Sequence, residues 1–233
     1  MRDFSVIVQA RVNSKRLPGK IFYKIGKSNI LQILIYRLKK SKKVKKIIFA
    51  TSTKLADNKI VNFCKKNNID YFRGPEKNVA LRYLLTAKKF NVKNIIRITS
   101  DCPLVDASLI DKMIKIFKKK NVNYLSNTNP PTFPDGFDIE IFKTKAFEKK
   151  FKKKLLPYHK EHVTTYLRKY EKKNYNFKNP EDLSRVRLTL DYKKDLNFLR
   201  NLFNNYKNIK NYNYIKLLKI IKSNPKFFNL NEK

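Results

Sequence analysis

The stretch QARVNSKRLPGK, residues 9–20, decides how this chain is read. It follows the apolar run FSVIV, residues 4–8, which has the length and bulk of a buried strand. It then turns polar and carries Arg11, Lys15, Arg16 and Lys20. Pro18-Gly19 is a turn signal, because proline fixes φ and glycine accepts a positive one. A strand that ends in a cationic loop able to fold back offers fixed charge and backbone N–H groups, which together suit a polyphosphate. The loop is not a Walker loop, since G-x-x-x-x-G-K-[ST] is absent, and not a dinucleotide fingerprint, since G-x-G-x-x-G is absent. Taken alone, it is equally an ordinary basic surface turn.

Outward from this loop, apolar spacing predicts a helix over 29–40, a strand over 47–50, a helix over 57–67 and a strand over 70–72. It continues with a helix over 76–90, a strand over 94–98, a helix over 106–120 and a strand over 122–125. Alternating strands and helices imply a parallel sheet covered on both faces, with ligands bound outside the carboxyl ends of its strands. The polar loops at 9–20, 51–53, 73–78 and 100–101 all fall at those ends. Beyond residue 126 the pattern changes. Residues 127–138 contain Pro130, Pro131 and Pro134 and read as an excursion outside the core. A strand is expected over 139–142, helices over 144–154 and 159–170, and a strand over 175–177. RVRLTLD, residues 185–191, alternates and reads as a strand, and helices over 195–206 and 212–221 close the chain. No linker is visible, so residues 1–233 are taken as one domain.

The chain has 233 residues and a formal net charge of +37, but the excess is lysine spread along its whole length rather than one basic stripe. Lysine and asparagine are over-used together, as a compositional bias would produce, so no nucleic-acid partner is expected. Eleven of the basic residues are arginine, and seven of these (11, 16, 73, 82, 97, 185 and 187) fall in the stretches singled out on other grounds. Arginine is the residue suited to phosphate because its planar fork donates two parallel hydrogen bonds. No apolar run is long enough to span a membrane, and the N-terminus enters a strand with no apolar leader. Cys64 and Cys102 match no metal or C-x-x-C spacing. A cytoplasmic location is expected.

Two aspartates end strands, Asp101 in TSDCP and Asp191 in LTLDY. Facing a cationic loop, they could hold Mg2+, which takes oxygen ligands and shares them with substrate phosphates. Each could instead cap the helix that follows. DGFDIE places Asp135, Asp138 and Glu140 around Gly136; if the segment is extended, Asp138 and Glu140 point to one side. They could receive acceptor hydroxyls or form a solvated hairpin tip. His159 and His162 could share a helix face, but no zinc motif is matched.

QARVNSKRLPGK, ATST followed by an Asp, FRG followed by NVALRY, RITSDCPLVD, YLSNT, DGFDIE, EHVT and RLTLD occur in this order. As an ordered set they resemble the spore-coat-polysaccharide-type cytidylyltransferases, relatives of the 3-deoxy-manno-octulosonate and acylneuraminate cytidylyltransferases. The resemblance implies a three-layer α/β/α sandwich with a mostly parallel sheet, nucleotide-diphospho-sugar transferase-like (Rossmann-like). It also implies CTP as donor, Mg2+ as cofactor, an acidic sugar or related small acceptor, and a homodimer. By motif, Arg11, Lys20 and Asp101 would be catalytic. Gln9, Ala10, Arg11, Ser14, Arg16, Lys20, Arg73, Asn78, Arg82 and Ser100 would lie on the nucleotide. Asp135, Asp138, Glu140, Glu161 and His162 would line the acceptor side, and Asp101 and Asp191 would hold the metal. Residues 127–182 would form an acceptor-side and dimerisation insertion. Lys160 stands where the family often has arginine, and Ser100 where it often has alanine or glycine. A nucleotide-sugar-dependent glycosyltransferase of similar fold is the competing expectation, although no D-x-D follows a strand here.

Overall fold

A computed structural model describes residues 3–151 and 156–229. The elements run β1 (Phe4–Gln9), β2 (Lys24–Ile25), β3 (Ser28–Asn29), α1 (Ile30–Leu38), β4 (Val44–Ser52), α2 (Asn58–Lys66) and β5 (Asp70–Gly74). Next come α3 (Val79–Lys89), β6 (Asn94–Thr99), α4 (Ala107–Lys120), β7 (Tyr124–Ser126), β8 (Glu140–Lys143), α5 (Thr144–Phe151) and α6 (Pro157–Glu161). The chain ends with α7 (Thr165–Tyr170), β9 (Asn174–Asn176), α8 (Lys193–Asn205), α9 (Tyr214–Ser223) and α10 (Pro225–Asn229). Among the described residues, no helix is long and apolar enough to cross a membrane.

Seven strands form the main sheet in the order β5-β4-β1-β6-β8-β7-β9. β5, β4, β1 and β6 are parallel, while β8 runs antiparallel to both β6 and β7. β9 lies parallel to β7 at the edge. The central strands are buried on both faces, which is why they read as continuous apolar runs. On one face, Val6, Val8, Phe49 and Ile98 pack with Leu31 and Leu34 of α1 and Leu109 and Met113 of α4. On the other, Ile7, Ile48 and Ile95 pack with Ala80 and Tyr83 of α3 and Leu167 of α7. Each fully buried Ile or Leu contributes roughly 1.5–3 kcal/mol. The expected three layers are present.

Chain order places the site. From β1 the chain crosses outward to β4 and β5, then returns over the sheet to β6 on the other side of β1. The loops leaving β1 and β6 therefore diverge, and a crevice opens where such loops part.

Three expectations are corrected. RVRLTLD is not a strand: its backbone bonds are divided between two loops, with Asp135 N–H donating to Val186 O, Leu188 N–H to Asp135 O and Leu190 N–H to Asp101 O. An isolated bridge pairs Asp135 with Arg187. The helix expected over 159–170 is two helices, broken at His162, where φ is −94° and ψ is 86°. Residues 127–138 are not wholly outside the core, since Asn127, Phe133 and Phe137 are buried. Asn127 does the work of a strand there: its side chain donates to Phe137 O and accepts from Ile139 N–H. The expected helical end over 152–154 lies outside the described residues.

Candidate active site

The loop after β1 is closed by its own backbone. Val12 O accepts from Ser14 N–H at 3.1 Å and from Gly19 N–H at 3.0 Å, and Ser14 Oγ accepts from Leu17 N–H. Gly19 takes φ 69°, a left-handed conformation that a side chain would strain, and starts the 3-10 turn Lys20–Phe22. The turn brings Lys20 back beneath the loop. Gln9, Arg11, Ser14, Arg16 and Lys20 then line one wall of a cleft of about 330 Å³. Ser100, Asp101 and Asp191 line the other.

The two aspartates converge on one cation. Lys20 Nζ lies 2.6 Å from Asp101 Oδ2 and 2.9 Å from Asp191 Oδ1. Arg16 reaches the same Asp191 oxygen at 2.5 Å, and its guanidinium lies over the Tyr192 ring. Burial alone would raise the Asp191 pKa, but bonds and charge from Lys20 and Arg16 outweigh it and hold the group below the ordinary range. Burial likewise opposes the charged form of Lys20, and the two carboxylates outweigh it, so its pKa is raised. Neither aspartate is the cap that helix spacing also allowed: Asp106 caps α4, and Asp195 accepts the N–H of Tyr192 at the start of α8.

Among the described residues, no group of three or more His, Cys, Asp or Glu gathers as a metal cage. Asp101 and Asp191 nonetheless fit a hard divalent cation. The two carboxylates meet at one point, held here by Lys20 Nζ, and are oxygen donors of the kind such an ion takes while it completes its shell with water or other oxygens.

The acceptor-side residues divide. Asp135 accepts from Arg187 at 3.0 Å. Gly136, at φ 110°, lets the DGF turn press on the chain at Leu188, where a Cβ would come within 2.8 Å of the Leu188 carbonyl carbon. Asp135 and Asp138 both lie close enough to Cys102, next to Asp101, to help burial push its thiol pKa up. Neither Asp135 nor Asp138 lines the cleft itself.

A profile of the Cytidylyltransferase family matches residues 5–227. The chain belongs to that family. A cytidylyltransferase from Leptospira borgpetersenii has a solved structure with a TM-score of 0.91 to this one, at 33% identity over 98% of each chain. The Bacillus subtilis spore coat polysaccharide biosynthesis protein SpsF is 30% identical over 213 residues, 87% of each chain. An uncharacterized protein of Methanocaldococcus jannaschii is 38% identical, covering 97% of this chain and 93% of its own. A CMP:2-keto-3-deoxy-manno-octonic acid synthetase complexed with CTP has a TM-score of 0.67 at 13% identity, a likeness of fold.

Not every residue expected in the cytidylyltransferase site comes to the cleft. Ala10 is buried and its N–H continues the sheet ladder to Ala50 O. Arg73 uses its whole fork on Ser52 O, Lys54 O and Asn58, tying β5 to the end of β4. Asn78 caps α3 through Leu81 N–H. Arg82 is 1% exposed and donates to Pro75 O; burial, opposed by Tyr83 and Asp57 but aided by nearby Arg11, lowers its pKa. Glu140 is corrected as an acceptor-side residue. It is 1% exposed in the middle of the sheet, with one oxygen on Arg97 at 2.5 Å and the other on Arg168 at 2.7 Å and the Tyr124 hydroxyl at 2.6 Å. Glu161 and His162 lie on the exposed end of α6, outside the cleft lining, and His159 points inward to Thr165. The two histidines share no face.

Two residues of the cytidylyltransferase site were missed. Asp57 is buried and accepts from Val12 N–H at 2.7 Å and from both Ser52 N–H and Oγ, pinning the entry of the loop after β1 to the end of β4. Its sequence mark is an acid opening a helix just after a strand. Asp195, four residues after Asp191, carries the same mark.

A larger hollow of about 480 Å³ lies between α1, α4 and residues 211–213 and shares no lining residue with the cleft. Its carboxylates are already engaged, Asp106 by Arg37 and Asp111 by the backbone of Lys42 and Lys43.

Proposed function

We propose that this cytidylyltransferase transfers CMP from CTP to a small acidic sugar-like acceptor and releases pyrophosphate, in the making of a surface glycan or polysaccharide. One observation carries the reading: at the switch point of the sheet, a cationic strand-end loop and two carboxylates converge within a single cleft. The name of the SpsF relative supports the polysaccharide context, and the family supports CTP.

Arg11, Arg16 and Lys20 receive the triphosphate, with the N–H groups of the folded loop beside them. Gln9 Oε1 is buried at the cleft without a hydrogen-bond donor among the described residues, and suits the amino group of a cytosine. Ser100 completes that wall. Asp101 and Asp191 hold Mg2+, which when bound offsets charge on the phosphate oxygens and orients them. Asp135 and Asp138 serve the acceptor side. An acceptor oxygen attacks the α-phosphorus in line, its bond to CMP forms, and the bond to the bridging oxygen of pyrophosphate breaks. The chain's contribution is placement and charge neutralisation.

On this reading, residues 127–182 serve the acceptor side and pairing with a second copy. Leu156, Tyr158, Tyr170 and Tyr175 are exposed there. The test is CTP-dependent pyrophosphate release across a panel of carboxylated sugars with Mg2+. Release with at least one acceptor and CTP, and not with UTP, supports the reading. Transfer of a sugar from a nucleotide-sugar instead would favour a glycosyltransferase.

A further inference from the structure

Asp195 is fully buried at the first turn of α8. Its Oδ2 accepts the N–H of Asp191 and of Tyr192, both at 2.8 Å, and lies 3.2 Å from Arg187. Its Oδ1 has no hydrogen-bond donor among the described residues, so its charge is answered chiefly by Arg187. The same guanidinium lies 3.0 Å from Asp135 Oδ2 and 3.6 Å from Asp191 Oδ2. Arg187 thus stands among three carboxylates, and Asp191 is the one it touches least.

We propose that the Asp195–Arg187 pair is a positioning device that fixes the backbone of Asp191 and keeps the arginine off its Oδ2, the oxygen that Lys20 and Arg16 do not hold, leaving that oxygen available to a divalent cation. The proposal rests on the reading of Asp101 and Asp191 as the metal pair. Arg187 lies within 4 Å of Asp191, and its closer contacts with Asp195 and Asp135 draw it away from that carboxylate. With Asp195 uncharged, the guanidinium closes on Asp191 Oδ2, and an entering cation must displace it. The same arginine also joins Asp191 to Asp135. The plainer alternative is that Asp195 only closes the start of α8. It predicts lost stability and no specific effect on metal binding.

The two are separated by Mn2+ binding to the full chain, read by electron paramagnetic resonance with Mn2+ alone and with MnCTP, alongside melting temperatures. Asp195→Asn is expected to weaken Mn2+ binding by about tenfold or more, as loss of a group orienting a metal ligand does. The double variant Asp195→Asn, Arg187→Met is expected to recover most of that affinity, because the competitor is gone, even though it melts lower. Wild-type affinity in Asp195→Asn, or no recovery in the double variant, overturns the proposal. If Asp195→Asn does not fold, Arg187→Met alone decides: Mn2+ affinity at or above wild type supports the competition, and weaker binding overturns it. A wild-type chain that binds neither Mn2+ nor MnCTP defeats the metal reading itself, which is a distinct outcome.

Discussion

The Lys20 ammonium lies 2.6 Å from the Asp101 carboxylate, although the two residues are 81 positions apart. One arrives by a glycine-started turn after β1, the other at the end of β6, and the sheet makes these strands neighbours. Lysine and aspartate satisfy each other in this state, with Asp191 as the second anion. On the proposed reading, an entering cation and triphosphate would each meet a group of the opposite sign.

If Asp101 holds the metal as proposed, its loss should spare the fold and stop turnover. Asp101→Asn keeps a hydrogen-bond acceptor for Lys20 and loses the charge. CTP-dependent pyrophosphate release is expected to fall at least about 100-fold, the scale on which preorganised charge acts. The melting curve should hardly move. Normal turnover by the variant would sink the metal assignment.

Asp57 tests whether the phosphate loop must be pinned. Asp57→Ala leaves Val12 N–H and Ser52 N–H buried without acceptors, at a cost of about 2–4 kcal/mol. CTP affinity should drop several-fold in the surviving folded protein, because the loop entry is no longer fixed. Calorimetry on the variant checks both effects, and unchanged CTP affinity would show that the loop holds its shape alone.

Glu140 gives a pH signature. Burial would raise its pKa, but Arg97 and Arg168 outweigh burial and hold it at about 2. The unfolded value is about 4.3. A depressed carboxylate stabilises the fold fully above the unfolded value, and the contribution drains away as pH falls through the folded one. Glu140→Gln should therefore cost roughly 3 kcal/mol near pH 6, since it leaves two arginines on a neutral group. The gap to wild type should narrow from about pH 5 towards pH 2. Urea melts across that range decide it, and a gap independent of pH would contradict the account.

What could be read from sequence follows from what periodicity reports. β1, β6 and the helices between them stand out because apolar spacing records which face is buried, and these elements bury a whole face. The 9–20 loop is legible because its glycine, proline and cations act locally. RVRLTLD misleads because alternation signals one buried face, while residues 186–190 are buried continuously between two loops and form no ladder. Glu140 and Arg73 mislead for a related reason: a charged side chain at a strand end reads the same whether it faces a ligand or a buried partner. Only the neighbours, Arg97 and Arg168 in one case and three backbone or amide groups in the other, tell them apart. Asp195 could not be ranked from sequence because its importance lies in the Arg187 it holds.

The most direct test of the central claim is a thermal-shift series with CTP, UTP, ATP, GTP and dTTP, each with and without Mg2+. A ligand that binds only the folded state raises its melting temperature by mass action, and no acceptor need be known. The account predicts a shift for CTP with Mg2+ well above every other pair, reduced in Asp101→Asn. Equal shifts for all five nucleotides, indifferent to Mg2+, would mean that a chain of net charge +37 binds polyanions without reading the base, and would contradict it.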